Sequence, residues 1–269
     1  MEVNIPKRKL IICDIDGTIL ENDTPFKGAV ETVNMLSQKH DLVLITNNTT
    51  RSPQQILSRL LQLGFEINPN NIHTPILATI DHLKELGHTS GVLVVGEEIM
   101  IRLFNREGIK TVKKGSRALV VVASFDRTLD YAKLSEAHYA VSAGAYYVAT
   151  HSDRFYPTET YGIPDAGAVI GAIYGSTERK PSEIIGKPSK RFIDELLRKH
   201  GAGPDNAMII GDRLDTDIIM GNQAGITTVL TMTGAHKNDD ISLSKIKPSH
   251  IVKSINEVIG LLNNDNIAL

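Results

Sequence analysis

Short β-branched apolar runs alternate along the chain with longer stretches in which apolar residues recur at three- and four-residue spacing. The continuous runs Leu10–Cys13, Leu42–Thr46, Gly91–Val95, Ala118–Ala123, Tyr146–Ala149, Ala207–Ile210 and Thr227–Leu230 predict buried strands. Between them, the helical period predicts helices over Gly28–Lys39, Pro53–Gly64, Asp130–Ala143, Lys190–His200 and Asp215–Ala224. The second of these is well punctuated: Ser52 suits the N-cap, Pro53 the first helical position, and Gly64 the stop. A βαβα rhythm with unbroken apolar strands predicts parallel sheets covered by helices on both faces. There are too many such units for one small sheet, and no repeat of about 20–50 residues is present.

Polar, turn-rich breaks fall at Gly87–Gly91 and Gly175–Ser182. They bracket an expected insert over residues 80–181, which leaves 1–79 and 182–269 as one discontinuous domain. The length, 269 residues, suits one large α/β domain carrying an insert. A composition of 41% apolar and 22% charged residues excludes disorder and collagen-like order.

Charge narrows the partners. Lys+Arg 29 against Asp+Glu 31 leaves −2, which argues against broad electrostatic binding to nucleic acid or anionic membranes. No apolar run approaches the ~18 residues of a membrane span. Basic Lys7–Lys9 precede an apolar stretch, but Asp14 and Asp16 interrupt it, so no signal peptide is expected. A single cysteine, Cys13, excludes an internal disulfide framework and a Cys-rich zinc site, and the expected location is cytoplasmic. Cys13 is expected to be a buried strand residue facing away from any site. His200 and His236 stand alone in the sequence and are read as no ligands.

The chemistry collects where strands end. Cys13-Asp14-Ile15-Asp16-Gly17-Thr18 places two carboxylates at the C-terminal end of a buried strand, where open α/β sheets bind ligands. Two close carboxylates repel, so one is protonated or both share a cation. Mg²⁺ would offset that repulsion and clamp a phosphate; ordinary Asp-Gly turn chemistry is the bland alternative. Ile45-Thr46-Asn47-Asn48 offers a hydroxyl and backbone N–H groups to an anion, or else simple N-capping. Lys187, in Gly186-Lys187-Pro188, is either a phosphate-neutralising point charge or a solvated lysine. Gly211-Asp212-Arg213-Leu214-Asp215-Thr216-Asp217 again puts acids at a strand tip; Asp217 alone could serve a helix N-terminus. Each part is modest, but in this order the set is a cation-plus-phosphate constellation.

In that order the motifs resemble the haloacid dehalogenase-like superfamily of phosphatases, over Leu10 to about Leu262. Asp14-Ile15-Asp16-Gly17-Thr18 is similar to the first motif, Thr46-Asn47 to the second, Lys187 to the third, and Gly211-Asp212 with Thr216-Asp217 to the fourth. The resemblance is closest to the NagD-like, p-nitrophenyl phosphatase branch, whose α/β cap is inserted between the second and third motifs. Ala149-Thr150-His151-Ser152-Asp153, Pro164-Asp165-Ala166-Gly167-Ala168 and Gly186-Lys187-Pro188 also resemble that branch. Two positions depart from it: His151, where Asn is usual, and Asp165, where Gly is usual.

This resemblance implies a doubly wound, Rossmann-like parallel-sheet core with an inserted α/β cap, and a Mg²⁺-dependent hydrolysis of small phosphate monoesters. It implies Asp14 as the nucleophile that becomes an aspartyl phosphate and Asp16 as the acid, then base. Thr46 and the Asn47 backbone would hold the phosphoryl oxygens, and Lys187 would neutralise them. Asp14, Asp212 and the Asp16 carbonyl would ligate the metal, with Asp217 supporting Asp212 or Lys187 from behind. Relatives often pair through the cap, so a homodimer is an expectation by analogy alone. His151, Asp153 and Asp165 are candidates for substrate selection. Over His151–Gly167, read as a loop, Asp153, Glu159 and Asp165 against Arg154 leave −2, which points to a neutral or hydroxyl-rich leaving group unless Asp165 merely caps the following helix and Asp153 is solvated.

Rival readings fit less well. A phosphoacceptor receiver domain is far shorter and lacks a counterpart of Asp16. A dehalogenase needs neither Asp16 nor a magnesium cluster. A mutase carries its cap between the first two motifs, and Asp16 to Thr46 is too short for one. A non-catalytic binding protein would tolerate loss of one of these groups, and none is missing. No Walker A or G-x-G-x-x-G sequence is present.

Overall fold

The computed structural model describes residues 8–156, 158, 161–234 and 238–264; His236, Glu159 and Lys7 lie outside these. The chain divides into two compact units. One comprises Met1–Thr46, Ile56–His73 and Lys190–Leu269; the other comprises Asn47–Gln55 and Thr74–Ser189.

The first unit is built on a six-stranded parallel sheet in the order His250–Val252, Thr227–Thr231, Ala207–Gly211, Leu10–Asp14, Asp41–Ile45, Ile72–His73. Successive strands move outward from Leu10–Asp14 first to one side and then to the other, so the winding reverses between Leu10–Asp14 and Ala207–Gly211. All five residues of both strands are buried, which is why their sequences read as unbroken apolar runs. The pleat sends Ile11, Cys13, Leu42, Leu44, Met208 and Ile210 to one face. There they pack on Val33 and Leu36 of helix Ala29–Lys39, on Ile56 and Leu60 of helix Pro53–Gln62, and on Val258 of helix Val258–Asn264. Cys13 is thus a buried face residue, as its sequence position predicts.

Helix Pro53–Gln62 begins with a reciprocal cap. The Gln55 N–H donates to Ser52 Oγ at 3.1 Å, while the Ser52 N–H donates back to Gln55 Oε1 at 2.8 Å.

The second unit carries a five-stranded parallel sheet, ordered Glu183–Ile184, Tyr146–Ala149, Val120–Ala123, Ser90–Val95, Lys110–Val112. Alternation divides its side chains cleanly. Val92, Val94, Val120, Val122 and Val148 pack on helices Pro75–Glu85 and Glu98–Arg106. Leu93, Val95, Val121, Ala123, Tyr147 and Ala149 pack on helices Tyr131–Ser142 and Ala166–Thr177. Each sheet face is covered by helices, giving a three-layer α/β unit. No helix among the described residues is long and apolar enough to cross a membrane.

Three expectations need correction. Residues 151–167 are not all loop, since Phe155–Tyr156 pairs antiparallel with Ile163–Pro164. The helix expected over Asp215–Ala224 opens instead as a wide π turn, Leu214–Ile218, before α-helix Ile219–Ala224. Both the Asp217 and Ile218 N–H groups donate to the Arg213 carbonyl at 3.1 Å, which widens the turn. His200 does not stand alone: its Nδ1 is 2.6 Å from Asp41 Oδ2, and its ring meets His73 edge-on.

His73 ends its strand, and its carbonyl accepts the Thr46 N–H at 3.3 Å. Burial first, then the positive charge of Lys199 and His200, push its pKa from 6.5 down to about 4. The unfolded chain therefore binds a proton that folded His73 refuses. Stability from this group is complete above pH 6.5 and is lost as pH falls toward 4. The loss should be on the order of 2 kcal/mol, allowing for partial exposure. Denaturant unfolding at pH 7.5 and 4.5 should show a smaller acid loss in His73→Gln than in wild type; equal losses would remove His73 from the account.

Candidate functional site

In the first unit, the reversal of winding brings the carboxyl ends of two neighbouring strands together. Asp14 is the last residue of Leu10–Asp14, and Asp212 follows Ala207–Gly211. This is the position at which open α/β sheets bind ligands. Asp217 returns to the same place from the π turn, and one carboxylate oxygen each from Asp14, Asp212 and Asp217 fall within 4.8 Å of one another. The three are 3%, 3% and 0% exposed, so like charges are gathered where water cannot separate them. Asp217 Oδ2 accepts from the Arg213 N–H at 3.2 Å and from Thr216 Oγ1 at 3.4 Å. Thr18 Oγ1 donates to Asp14 Oδ2 at 3.2 Å. An all-oxygen, anionic donor set suits a hard cation such as Mg²⁺.

Main chain, rather than side chain, sets the clearance around these acids. Gly17 has φ +89°, and a Cβ there would lie 2.5 Å from Asp212 Oδ2. A Cβ on Gly234 would run into the same carboxylate, and one on Gly211 into that of Asp217. Thr233 Oγ1 fixes the approach by donating to the Gly17 carbonyl at 2.6 Å.

Asp16 is placed differently from the other acids. It is exposed, just past the strand, where the Leu20, Ile19 and Thr18 N–H groups fold back onto the Ile15 carbonyl. Its Oδ2 accepts from Thr46 Oγ1 at 2.9 Å. The hydroxyl at the tip of Asp41–Ile45 thus orients the second carboxylate of the first motif.

In the second unit, Lys187 follows strand Glu183–Ile184 and is 3% exposed, which is not the exposure of a solvated surface lysine. Its main chain is clamped by one side chain: Asn47 Oδ1 accepts the Lys187 N–H at 3.1 Å, and Asn47 Nδ2 donates to the Lys187 carbonyl at 3.1 Å. Gly186 permits this, since a Cβ there would sit 2.9 Å from Asn47 Oδ1 and 2.8 Å from the Thr150 carbonyl. Asn47 Nδ2 also donates to Asp153 Oδ2 at 3.1 Å. Asp165 caps helix Ala166–Thr177 by accepting the Ala166 N–H at 2.5 Å. His151 lies between Asp153 and Asp165, 3.6 Å from each.

Two contributions escaped the sequence reading. The clamping role of the Asn47 side chain had no local signal, because its partner is 140 positions away. Thr233 and Gly234 belong to no motif. Thr18, by contrast, lies inside the first motif, four residues after the acid that it touches.

The signature of the haloacid dehalogenase-like hydrolases matches residues 11–110, and a HAD-hydrolase-like signature matches 184–258. The acid sugar phosphatase of Staphylococcus epidermidis is 30% identical over 252 residues, 93% of this chain and 96% of that relative. The chain belongs to the haloacid dehalogenase-like hydrolases. Among solved structures of this family, the 4-nitrophenylphosphatase of Thermotoga maritima superposes with a TM-score of 0.88 at 30% identity, covering 95% of this chain and 98% of that one. The glycerol phosphate phosphatase of Mycobacterium tuberculosis, solved in complex with magnesium, gives 0.84 at 28% identity, covering 95% and 78%. Within the family the chain takes its place among the phosphatases of the NagD-like, p-nitrophenyl phosphatase branch.

Proposed function

We propose that this phosphatase hydrolyses small, hydroxyl-rich phosphate monoesters through an aspartyl phosphate on Asp14, with Mg²⁺ as its cofactor. The observation that carries the reading is the convergence of Asp14, Asp212 and Asp217 at the reversal point of the first sheet. Asp14 and Asp212 would hold the metal together with the Asp16 carbonyl, and Asp217 lies close enough to support or join them. When bound, Mg²⁺ supplies the positive charge that lets a carboxylate approach a phosphate dianion.

The chain's own groups then have distinct tasks. An Asp14 oxygen forms the new bond to phosphorus as the ester P–O bond breaks, and Asp16 passes its proton to the departing alkoxide. In the second half, Asp16 takes a proton from water as that water displaces the Asp14 carboxylate, releasing inorganic phosphate. The Thr46 hydroxyl, which donates to Asp16, has a single proton to give and would turn it to the phosphoryl group when substrate binds. Thr46 and the Asn47 backbone are assigned to the phosphoryl oxygens, and Lys187 to their charge, on the motif resemblance. The use of the Asn47 side chain on Lys187 leaves its backbone for that task. Residues 80–181 are proposed as the cap that selects the leaving group, with His151, Asp153 and Asp165 in its selective region.

Substrate class rests on charge and on relatives. The segment 151–167 supplies a single Arg and no Lys, whereas an anionic leaving group would call for paired Arg or Lys. The acid sugar phosphatase and the glycerol phosphate phosphatase, named for a sugar and for glycerol phosphate, support the same reading. In a Mg²⁺-containing screen of phosphorylated metabolites against p-nitrophenyl phosphate, sugar and glycerol phosphates should lead. The kcat/KM for glycerol phosphate should exceed that for phosphoglycolate; a tenfold advantage for phosphoglycolate would defeat the charge argument.

A further inference from the structure

His151, Asp153 and Asp165 lie together beyond the carboxyl end of strand Tyr146–Ala149, in the second unit. His151 is 1% exposed, and both its ring nitrogens are buried without a hydrogen-bond partner. Burying an imidazole with neither nitrogen bonded is costly, and each nitrogen is aimed at a carboxylate: Nδ1 at Asp153 Oδ2 and Nε2 at Asp165 Oδ1, both at 3.6 Å. That distance is too long for a hydrogen bond.

We propose that His151, Asp153 and Asp165 form a second divalent-cation site that takes a transition-metal ion such as Mn²⁺ or Zn²⁺. One ligand atom from each residue falls within 4.8 Å of the others. An ion about 2.0–2.2 Å from each ligand spans at most ~4.4 Å, so a contraction of a few tenths of an ångström closes the site. One imidazole nitrogen with two carboxylate oxygens suits Mn²⁺ and Zn²⁺, whereas Mg²⁺ keeps to oxygen. Outer hydrogen bonds already orient both acids: Asn47 Nδ2 on Asp153 Oδ2, and the Ala166 N–H on Asp165 Oδ1. His151 supplies the nitrogen, and Asp153 and Asp165 supply one oxygen each. Through Asn47, an ion here would also steady the main chain of Lys187.

The test uses the untagged full chain, stripped with chelator and titrated with Mn²⁺ by equilibrium dialysis. Two equivalents should bind, and His151→Asn should bind one. Pulsed electron paramagnetic resonance should detect ¹⁴N coupling to Mn²⁺ in wild type and none in His151→Asn, because the acids of the first unit offer only oxygen. Asp165→Asn preserves a helix-capping side chain while removing a charged ligand, and it should weaken the second equivalent at least tenfold. That variant decides the matter if His151→Asn fails to fold. A single equivalent without nitrogen coupling in wild type would overturn the proposal. Coupling that survives in His151→Asn, or an unchanged second equivalent in Asp165→Asn, would overturn it as well.

Discussion

Asp14→Asn should lower turnover of p-nitrophenyl phosphate by at least about three orders of magnitude, equivalent to roughly 4 kcal/mol of lost barrier reduction. The amide keeps the carboxylate's shape, and its oxygen still accepts the Thr18 hydroxyl, so the fold and its circular dichroism should persist. What disappears is the negative oxygen that must bond to phosphorus. Near-wild-type turnover would sink the covalent route. Asp16→Asn should be crippled in another way. It cannot protonate an alkoxide or activate water, so with p-nitrophenyl phosphate, whose leaving group needs little protonation, labelled phosphate should accumulate on the protein. Thr46 can still bond to the amide, which keeps the geometry of the two variants comparable.

Removal of divalent cations should abolish activity, and Mg²⁺ should restore it while Ca²⁺ restores little. Asp14, Asp212 and Asp217 are buried within 4.8 Å of one another, so without a cation their repulsion acts in a medium that screens it poorly. Calcium takes more ligands at longer distances, which misplaces a phosphate that must lie in line with Asp14. Assay in excess chelator followed by Mg²⁺ or Ca²⁺ replacement checks this; full activity in chelator would refute the metal assignment of Asp212.

Strand tips were the most legible part of the sequence. A strand buried on both faces needs an unbroken apolar run, so an acid that ends it stands out, as Asp14 does after Leu10–Cys13 and Asp212 after Ile209-Ile210-Gly211. Capping chemistry was legible for the same local reason, at Ser52. Strands such as Ile72–His73 and Glu183–Ile184 were not, because two residues carry no period and their pairing is decided by neighbours distant in sequence. The π turn at Leu214–Ile218 read as ordinary helix, since its apolar spacing differs by one residue from an α turn. At the site, the resemblance already grouped Asp14 and Asp212 with Asp217 behind them; the turn of the Asp16 side chain to Thr46 carried no local signal, because the two lie 30 positions apart.

The clearance glycines have a consequence for how this protein can vary. A methyl group at Gly17, Gly211 or Gly234 changes no charge and removes no hydrogen-bonding side chain, yet it occupies space that a carboxylate of the first unit now fills. A saturation library scored for turnover would therefore find these positions as immovable as the acids themselves. An inventory of functional groups would overlook all three. Inheritance of this chemistry thus depends on keeping certain places empty as much as on keeping the acids, and adaptation to new esters is left to segments that do not border Asp212 or Asp217.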